Sequence, residues 1–219
     1  MSIENKSAKN IVVLVSGNGS NLQAIIDSLK GKPELGVVSA IISDKSSAFA
    51  LERAKKHSIE GIFIDTKKFS SRENFDQDLA KKIESYNPTL VILAGFMRIL
   101  STGFVNLFSG RLINIHPSLL PKYPGLNTHA RAIKNKDSIH GTSVHFVTEE
   151  LDGGPIIAQA QLNLIENELP NELALRVQLL EYKLYPWVIE LFLQSQIKQV
   201  GNRVNFNNKL ITAPLSLNA

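Results

Sequence analysis

An amide and an imidazole interrupt an apolar run near the middle of the chain. The run is RLINIHP (Arg111–Pro117), in which Asn114 and His116 stand two positions apart. Side chains alternate along a strand, so both groups would project from the same face at its carboxyl end. An amide can donate to an oxyanion, and an imidazole can act as a general acid. Because buried polar groups need partners, a hydrogen-bonded structural pair is the alternative.

A carboxylate farther along the chain could complete this chemistry. The segment TEELDGG (Thr148–Gly154) contains Asp152, followed by Gly153 and Gly154, which allow unusual backbone angles. In a catalytic triad, a carboxylate holds the imidazole in one tautomer and stabilises its charged form. A solvated hairpin turn is the alternative, and the sequence does not place Asp152 near His116.

A glycine-rich segment, Ser16–Asn21, leads from an apolar run directly into a helical pattern. Glycines allow close backbone approach, and a helix N-terminus offers N–H groups to a phosphate. Ser20 or Asn21 could instead simply cap the helix. The dinucleotide fingerprint needs a third glycine where Leu22 stands, and the Gly-Lys pair of a P-loop is missing. A bound phosphate would therefore belong to a mononucleotide or a sugar.

Several other chemistries are excluded or disfavoured. The chain has no cysteine, which removes thiolate nucleophiles, disulfides, zinc-finger spacings and iron–sulfur ligation. His140 and His145 are an odd number of residues apart on one predicted strand, so they would face opposite sides and not share a metal. The Gly-x-Ser-x-Gly elbow of many hydrolases is absent. The Pro-bounded segment Pro121–Gly125 is interpreted as a rigid connector rather than a site.

The net charge of +4 is concentrated in a short tail. Residues 195–219 contain Lys198, Arg203 and Lys209 and no acidic residue, which leaves +1 for the rest. No basic run with interleaved aromatics is present, so we expect no nucleic-acid partner. The apolar run Ile11–Val15 is too short for a signal peptide, and Leu90–Met97 is too short to span a membrane. These features predict a soluble cytoplasmic protein.

The elements that must position these residues alternate between strands and helices. Predicted strands are Ile11–Ser16, Val37–Ser43, Gly61–Asp65, Leu90–Ala94 and Leu112–Ile115. Predicted helices between them are Leu22–Lys30, Ala48–His57 and Arg72–Tyr86. The strands are apolar on both faces, which is typical of a parallel sheet covered by helices. We therefore predict an α/β protein with a doubly wound, mainly parallel sheet.

The pattern changes in the C-terminal half. His140–Val147 and Ile156–Ile165 are predicted to form an antiparallel hairpin. A long helix should begin at Pro170 and be kinked or interrupted at Pro186. Its predicted buried stripe is Leu173, Val177, Leu180, Leu184, Val188 and Leu191. No internal repeat or linker appears, so a single domain is expected.

Five motifs lie in a fixed order along residues 11–190. They are SGNGSNLQAIID (Ser16–Asp27), LAGFMRIL (Leu93–Leu100), NIHPSLLPKYPG (Asn114–Gly125), HGTSVHFV (His140–Val147) and ELDGGP (Glu150–Pro155). Together they resemble the folate-dependent formyltransferases, and in particular the branch that formylates glycinamide ribonucleotide in purine synthesis. The segment LNTHARAIKN (residues 126–135) departs from that family at Asn127 and Arg131, and residues 195–219 match no family motif.

The resemblance implies a Rossmann-like formyltransferase fold and a set of site residues. Asn114, His116 and Asp152 would be catalytic. The residues implied for glycinamide ribonucleotide are Gly19, Ser20, Asn21, Gln178, Leu179, Leu180 and Glu181, with Glu181 at the ribose. Those implied for the cosubstrate 10-formyltetrahydrofolate are Arg72, Met97, Arg98, Ile99, Leu100, Asn114, Thr148, Glu149, Glu150, Leu151 and Asp152. No metal is implied.

We therefore expect one formyltransferase domain over residues 1–219, as a monomer or homodimer. Its expected parts are a phosphate-binding half (11–110), a catalytic and folate-binding half (111–195) and a basic tail (196–219). Methionyl-tRNA formyltransferases carry a further C-terminal domain and formyltetrahydrofolate deformylases an N-terminal one, and we expect neither here.

Three alternative functions stay open. A deformylase would use the same three residues with water as the acceptor. A nucleotide-binding regulatory domain would account for the glycine loop but not for Asn114 and His116. A dinucleotide oxidoreductase would use Asp44, but Leu22 at the third glycine position argues against it.

Overall fold

Short apolar runs build a parallel sheet in the first of two units. The computed structural model describes residues 9–217, which separate into an N-terminal unit ending at Met97 and a C-terminal unit beginning at Arg98. The N-terminal strands are β1 (Asn10–Leu14), β2 (Val37–Ser43), β3 (Glu60–Phe63) and β4 (Leu90–Leu93), in the order β4-β1-β2-β3. All of these pairs are parallel. Residues 11–14 are fully buried, as expected for a strand covered on both faces.

Helices α1 (Ser20–Leu29), α2 (Phe49–Lys56) and α3 (Arg72–Glu84) alternate with these strands, and a short 3-10 turn spans Thr66–Lys68. The strand order reverses at β1, because β2 lies on one side of it and β4 on the other. In parallel α/β sheets, ligands bind outside the carboxyl ends of the strands at such a switch point. The glycine-rich segment follows β1 at this position.

The C-terminal unit is built around antiparallel strands. Its elements in chain order are α4 (Thr102–Leu107), β5 (Leu112–His116), α5 (Thr128–Lys134), β6 (Ile139–Phe146), β7 (Ile156–Asn163), α6 (Pro170–Leu193), β8 (Ile197–Val200), β9 (Arg203–Phe206), β10 (Lys209–Leu210) and β11 (Leu215–Ser216). One sheet has the order β11-β7-β6-β5, and a separate antiparallel sheet has the order β10-β9-β8. The predicted hairpin is β6–β7, which pairs antiparallel.

These elements confirm the predicted α/β class, with a parallel sheet followed by an antiparallel hairpin. Helices α4 and α5 were not predicted, because they have only six and seven residues. Strands β8 to β11 were not predicted, because they mix polar and apolar residues and form no continuous apolar run. The division of the domain at residue 110 stays a prediction. No helix within residues 9–217 is both long enough and apolar enough to cross a membrane.

Helix α6 begins at Pro170 as predicted, is not interrupted at Pro186, and differs from its predicted buried stripe at Leu191. A kink at Pro186 stays a prediction. It continues without interruption from Pro170 to Leu193 through Pro186, which is buried. Tyr185 is fully buried and its hydroxyl donates to the Ile113 carbonyl of β5 at 3.1 Å. Packing of this kind outweighs the local cost of proline, about 3 kcal/mol. Leu191 is half-buried rather than buried, because the buried face in the last turns passes through Ile189 and Leu193.

Candidate active site

Strand β5 ends in the two polar residues that the sequence singled out. Asn114 is half-buried and His116 is buried. Neighbouring β6 fixes the chain as it leaves β5, since the Thr142 hydroxyl donates to the His116 carbonyl at 2.9 Å and the Ser143 hydroxyl donates to the Ser118 carbonyl at 2.6 Å. The end of the strand is therefore held by buried side-chain hydrogen bonds.

The His116 ring has an acceptor at each nitrogen. Its Nε2 lies 2.8 Å from the Tyr123 carbonyl, and a carbonyl only accepts, so Nε2 carries a proton. Its Nδ1 lies 3.4 Å from Asp152 Oδ2. This geometry leaves Nδ1 as the nitrogen that can exchange a proton with its surroundings.

Asp152 is the centre of a small polar cluster. Its Oδ2 accepts a hydrogen bond from the Gly125 amide at 2.8 Å, and its Oδ1 lies 3.7 Å from His145 Nε2. The structure thus brings His116 and Asp152 together, and His145, which also contacts Asn114, links Asn114 to them. The left-handed residue of this segment is Asp152, with φ 52°. Gly154 is needed for space, since a Cβ there would collide with the Phe146 carbonyl.

His145 is a site residue that the sequence reasoning missed. Its Nδ1 lies 2.9 Å from the Phe146 carbonyl and therefore carries the proton, while burial lowers the pKa of the ring. The neutral ring presents an unprotonated Nε2, which accepts from Asn114 Nδ2 at 3.2 Å. Asn114 and His145 lie opposite each other in the β5–β6 pair. The sequence analysis predicted the β6–β7 hairpin but not the pairing of β5 with β6, which is the signal that would have indicated this contact.

The remaining histidines of this unit form a second pair. His129 Nδ1 lies 3.2 Å from His140 Nε2. Burial is the main cause that lowers the pKa of His140 to about 4, and the nearby His129 contributes in the same direction. Burial also lowers the pKa of His129. His140 and His145 thus have different partners, and no group of three or more His, Asp or Glu side chains within residues 9–217 is arranged to hold a metal ion.

The segment Pro121–Gly125 is more than the rigid connector that the sequence suggested. Tyr123 contributes its carbonyl to His116, and Gly125 contributes its amide to Asp152. Both contacts are made by main-chain atoms, which leave no signal in the side-chain pattern. That is why sequence reasoning did not include this segment in the site.

In the N-terminal unit, the glycine loop leads into α1 through a left-handed residue. Gly19 has φ 73° and is the N-cap, and Ser20 is the first helical residue. Neither Ser20 nor Asn21 is therefore the capping residue that the alternative interpretation required. The first intrahelical bond runs from the Gln23 amide to the Gly19 carbonyl at 2.9 Å, and a helix supplies no acceptor for the amides that precede it. This geometry suits an anion at the switch point.

Helix α2 holds this loop in place. The Ala50 amide donates to the Gly17 carbonyl at 3.2 Å, and Arg53 donates to the Asn18 carbonyl at 2.9 Å and to its side-chain oxygen at 2.8 Å. A Cβ at Gly19 would lie 2.8 Å from the Ala50 Cβ. The close approach of α2 therefore requires glycine at position 19.

The other predicted ligand residues divide between the two units. In the N-terminal unit, Arg72 pairs with its exposed neighbour Glu73 at 3.3 Å, and the amide of exposed Met97 donates to the Ser16 hydroxyl at 2.9 Å. In the C-terminal unit, Ile99 and Leu151 expose apolar side chains. The predicted folate residues further include Arg98, half-buried Leu100 and Thr148, and exposed Glu149 and Glu150.

The four predicted substrate residues of α6 do not share one face. Leu180 and Glu181 are buried, Gln178 is half-buried and Leu179 is exposed. Successive helical residues turn by about 100°, whereas residues three apart are neighbours. Gln178 and Glu181 are therefore the two of the four whose side chains can act together.

Comparison with known proteins decides the family. The formyl transferase family model matches residues 9–189. The chain belongs to the formyl transferase family. It is 52% identical over 193 residues to a phosphoribosylglycinamide formyltransferase of Escherichia coli, covering 88% of this chain and 91% of that protein. It is 40% identical to the enzyme of the same name from Haemophilus influenzae, covering 93% and 96%.

A solved structure supports the same family fold. The phosphoribosylglycinamide formyltransferase of Coxiella burnetii superposes with a TM-score of 0.92 at 43% identity, covering 97% of this chain and 100% of that one. The predicted Rossmann-like formyltransferase fold is thereby confirmed, as is the resemblance drawn from the five motifs. Family membership makes the chain a formyltransferase.

Proposed function

We propose that this formyltransferase moves the formyl group of 10-formyltetrahydrofolate to the amine of glycinamide ribonucleotide, giving formylglycinamide ribonucleotide and tetrahydrofolate in purine biosynthesis. The observation that carries the proposal is the cluster of Asn114, His116 and Asp152 at the end of β5, where His116 Nδ1 and Asp152 Oδ2 are 3.4 Å apart. Relatives named for this activity support the choice of acceptor.

Formyl transfer needs an oxyanion donor and a proton relay. The amine attacks the formyl carbon, so a carbon–nitrogen bond forms and a tetrahedral oxyanion develops; the bond from that carbon to the folate nitrogen then breaks. Asn114 gives one N–H of its amide to His145, and its second N–H is the proposed donor to the oxyanion. Losing one such donor typically costs about 3–4 kcal/mol of transition-state stabilisation.

The proton moves from the attacking amine to the leaving folate nitrogen. We assign this transfer to His116 Nδ1, directly or through water, with Asp152 orienting the ring. Because Nε2 donates to the Tyr123 carbonyl, the ring cannot easily flip and present Nε2 instead of Nδ1 for the proton transfer. Acid–base catalysis of this kind contributes about 10² to 10⁴ in rate.

The proposed ligand contacts follow the residues named from the motifs. We propose that Gly19, Ser20 and Asn21 hold the phosphate, because they form the switch-point loop and the start of α1. On α6, the proposed contacts are Gln178, Leu179, Leu180 and Glu181, with side-chain contacts from Gln178 and Glu181. The folate contacts are proposed to be Arg72, Met97, Arg98, Ile99, Leu100, Asn114, Thr148, Glu149, Glu150, Leu151 and Asp152. Exposed apolar side chains such as Ile99 and Leu151 suit an aromatic ring system.

The proposal also covers surroundings and partners. We propose that the substrates are small molecules and that neither a metal ion nor a nucleic acid takes part. We further propose that the protein is a monomer or homodimer and that it acts in the cytoplasm. Most of the net positive charge lies on Lys198, Arg203 and Lys209, which are all exposed and spread along β8 to β10.

A folate-turnover assay tests the proposal. Purified protein is given 10-formyltetrahydrofolate with and without glycinamide ribonucleotide, and tetrahydrofolate is measured. We expect turnover only when the amine is present. Equal turnover without the amine would show a deformylase, and no turnover in either case would contradict enzymatic formyl transfer to this acceptor.

A further inference from the structure

One turn supplies a main-chain hydrogen-bond partner to His116 and another to Asp152. The turn, Tyr123–Leu126, accepts the Nε2 proton of His116 on the Tyr123 carbonyl at 2.8 Å. Two residues later, the Gly125 amide donates to Asp152 Oδ2 at 2.8 Å. The separation and orientation of His116 and Asp152 therefore depend on the conformation of this turn.

The turn adopts a conformation that needs support. Tyr123 has φ 59° and Gly125 has φ 77°. The left-handed region suits glycine, but for a bulky residue such as tyrosine it is uncommon and costs about 1–3 kcal/mol. A conformation of this kind persists only where surrounding contacts hold it.

Arg131 makes contacts that can provide this support. Its Nη1 donates to the Pro124 carbonyl at 2.6 Å and lies 3.4 Å from the Leu126 carbonyl. Its guanidinium carbon lies 5.0 Å from the centre of the Tyr123 ring. Pro124 stands between the two residues that contact His116 and Asp152, so Arg131 braces the turn at its middle.

We propose that Arg131 is a positioning residue for formyl transfer: it holds the Tyr123–Leu126 turn so that His116 and Asp152 keep their reactive geometry. The inference rests on the proposed function, and it gives a role to a residue at which the sequence departs from the family motif. Lysine cannot fully replace it, because an ammonium lacks the planar guanidinium that can donate to the turn and stack on the Tyr123 ring at the same time.

The rest of the turn's anchoring does not depend on Arg131. The Tyr123 hydroxyl donates to Asp137 Oδ2 at 2.8 Å and accepts from Asn135 Nδ2 at 2.9 Å. Lys122 Nζ lies 3.2 Å from both Asp137 oxygens. Loss of Arg131 should therefore loosen the turn without unfolding the chain.

The test compares Arg131→Gln and Arg131→Lys with Arg203→Gln, a change at an exposed position of β9. We expect Arg131→Gln to lower kcat about 10- to 100-fold, because small misplacements of reacting groups have effects of this size. The KM for each substrate should stay within about threefold, Arg131→Lys should be intermediate, and Arg203→Gln should match the unsubstituted enzyme.

A nuclear magnetic resonance signal of the His116 ring gives a readout independent of turnover. The Nε2 proton is expected to exchange slowly in the unsubstituted protein and rapidly in Arg131→Gln. An unchanged His116 signal together with a kcat equal to that of Arg203→Gln would overturn the proposal. So would a raised KM at unchanged kcat, since that is the signature of substrate binding. Failure of the unsubstituted protein to formylate glycinamide ribonucleotide would instead refute the proposed function, while the His116 signal would still report on Arg131.

Discussion

At the scale of single residues, tautomers decide what the site can do. The Phe146 carbonyl fixes the proton of His145 on Nδ1, and the Tyr123 carbonyl fixes a proton of His116 on Nε2. The first arrangement sets which way the Asn114 amide points, and the second leaves Nδ1 of His116 for proton transfer. Two main-chain carbonyls thus assign separate roles to two neighbouring imidazoles.

Removing the acceptor on His145 should disturb the oxyanion donor. In His145→Ala, Asn114 Nδ2 loses its partner at 3.2 Å, and the amide can rotate away from its productive orientation. We expect kcat to fall about 10-fold, less than the 10²- to 10³-fold expected for Asn114→Ala, which removes the donor itself. Steady-state kinetics with both variants provides the measurement. A His145→Ala kcat equal to that of the unsubstituted enzyme would show that Asn114 does not need this acceptor.

Acidic pH should destabilise the fold through His140. Its pKa of about 4 lies below the value of 6.5 expected when unfolded, so the unfolded chain binds more protons between these values. The free energy of unfolding should therefore fall as the pH drops from about 6.5 to 4, by up to about 2–3 kcal/mol from this group. The charges of His129 and His116 also lower the pKa of His140, and the charge of Asp137 raises it. Denaturant titrations across this range should show a shallower pH dependence in His140→Asn; an unchanged dependence would assign it to other groups.

At the scale of elements, the phosphate loop depends on how closely α2 approaches it. Gly19 combines a left-handed φ of 73° with a position against Ala50, and Arg53 donates to both oxygens of Asn18. Glycine at position 19 therefore meets two separate requirements, one conformational and one steric.

A pair of glycine substitutions separates these requirements. Gly31 has a similar φ of 78°, but nothing lies within 4 Å of a Cβ built there. Both Gly19→Ala and Gly31→Ala should lose about 1 kcal/mol through the left-handed backbone. Only Gly19→Ala adds the overlap with Ala50, so its unfolding free energy should be lower by about 1–2 kcal/mol more. Its KM for glycinamide ribonucleotide should rise about 10-fold. Equal stability and equal KM in the two variants would argue against the close approach.

The sequence predicted the strands that are continuous apolar runs and the longer helices. The strand ending in His116 and the helix beginning at Pro170 are both confirmed, with the polar pair at the predicted end of β5. The proximity of Asp152 depends on the pairing of β5 with β6 and on the loop after β6, which are tertiary relations without a local signal. The roles of Tyr123 and Gly125 depend on main-chain atoms, which any residue type carries. The uninterrupted course of α6 at Pro186 shows burial overriding a local preference.

At the scale of the whole molecule, residues 195–217 are folded into the C-terminal unit. It has the composition of a basic tail, yet Ile197 and Val204 are buried within β8 and β9. The apolar positions of this segment, rather than its charges, are what attach it. Residues 196–219 were predicted to be a tail because of their basic composition. Their fold, however, is held by a few buried side chains such as Ile197 and Val204.

Two substitutions on β8 test this attachment. Ile197 is 1% exposed and Val200 is 50% exposed. We expect Ile197→Ala to lower the unfolding free energy by about 2–4 kcal/mol, because it leaves a cavity. Val200→Ala should change it by less than about 1 kcal/mol. If Ile197→Ala changed the unfolding free energy in denaturant titrations as little as Val200→Ala is expected to, burial of Ile197 would not be what attaches the segment.

Label transfer tests the central claim most directly, namely that Asn114, His116 and Asp152 carry out formyl transfer to glycinamide ribonucleotide. The formyl carbon of 10-formyltetrahydrofolate is labelled, and the label on the ribonucleotide product is followed for the unsubstituted protein, His116→Ala and Asp152→Asn at saturating substrates. We predict that the unsubstituted protein transfers the label and that both variants, while still folded, transfer it at least about 100-fold more slowly. Transfer by both variants at nearly the unsubstituted rate would contradict the account.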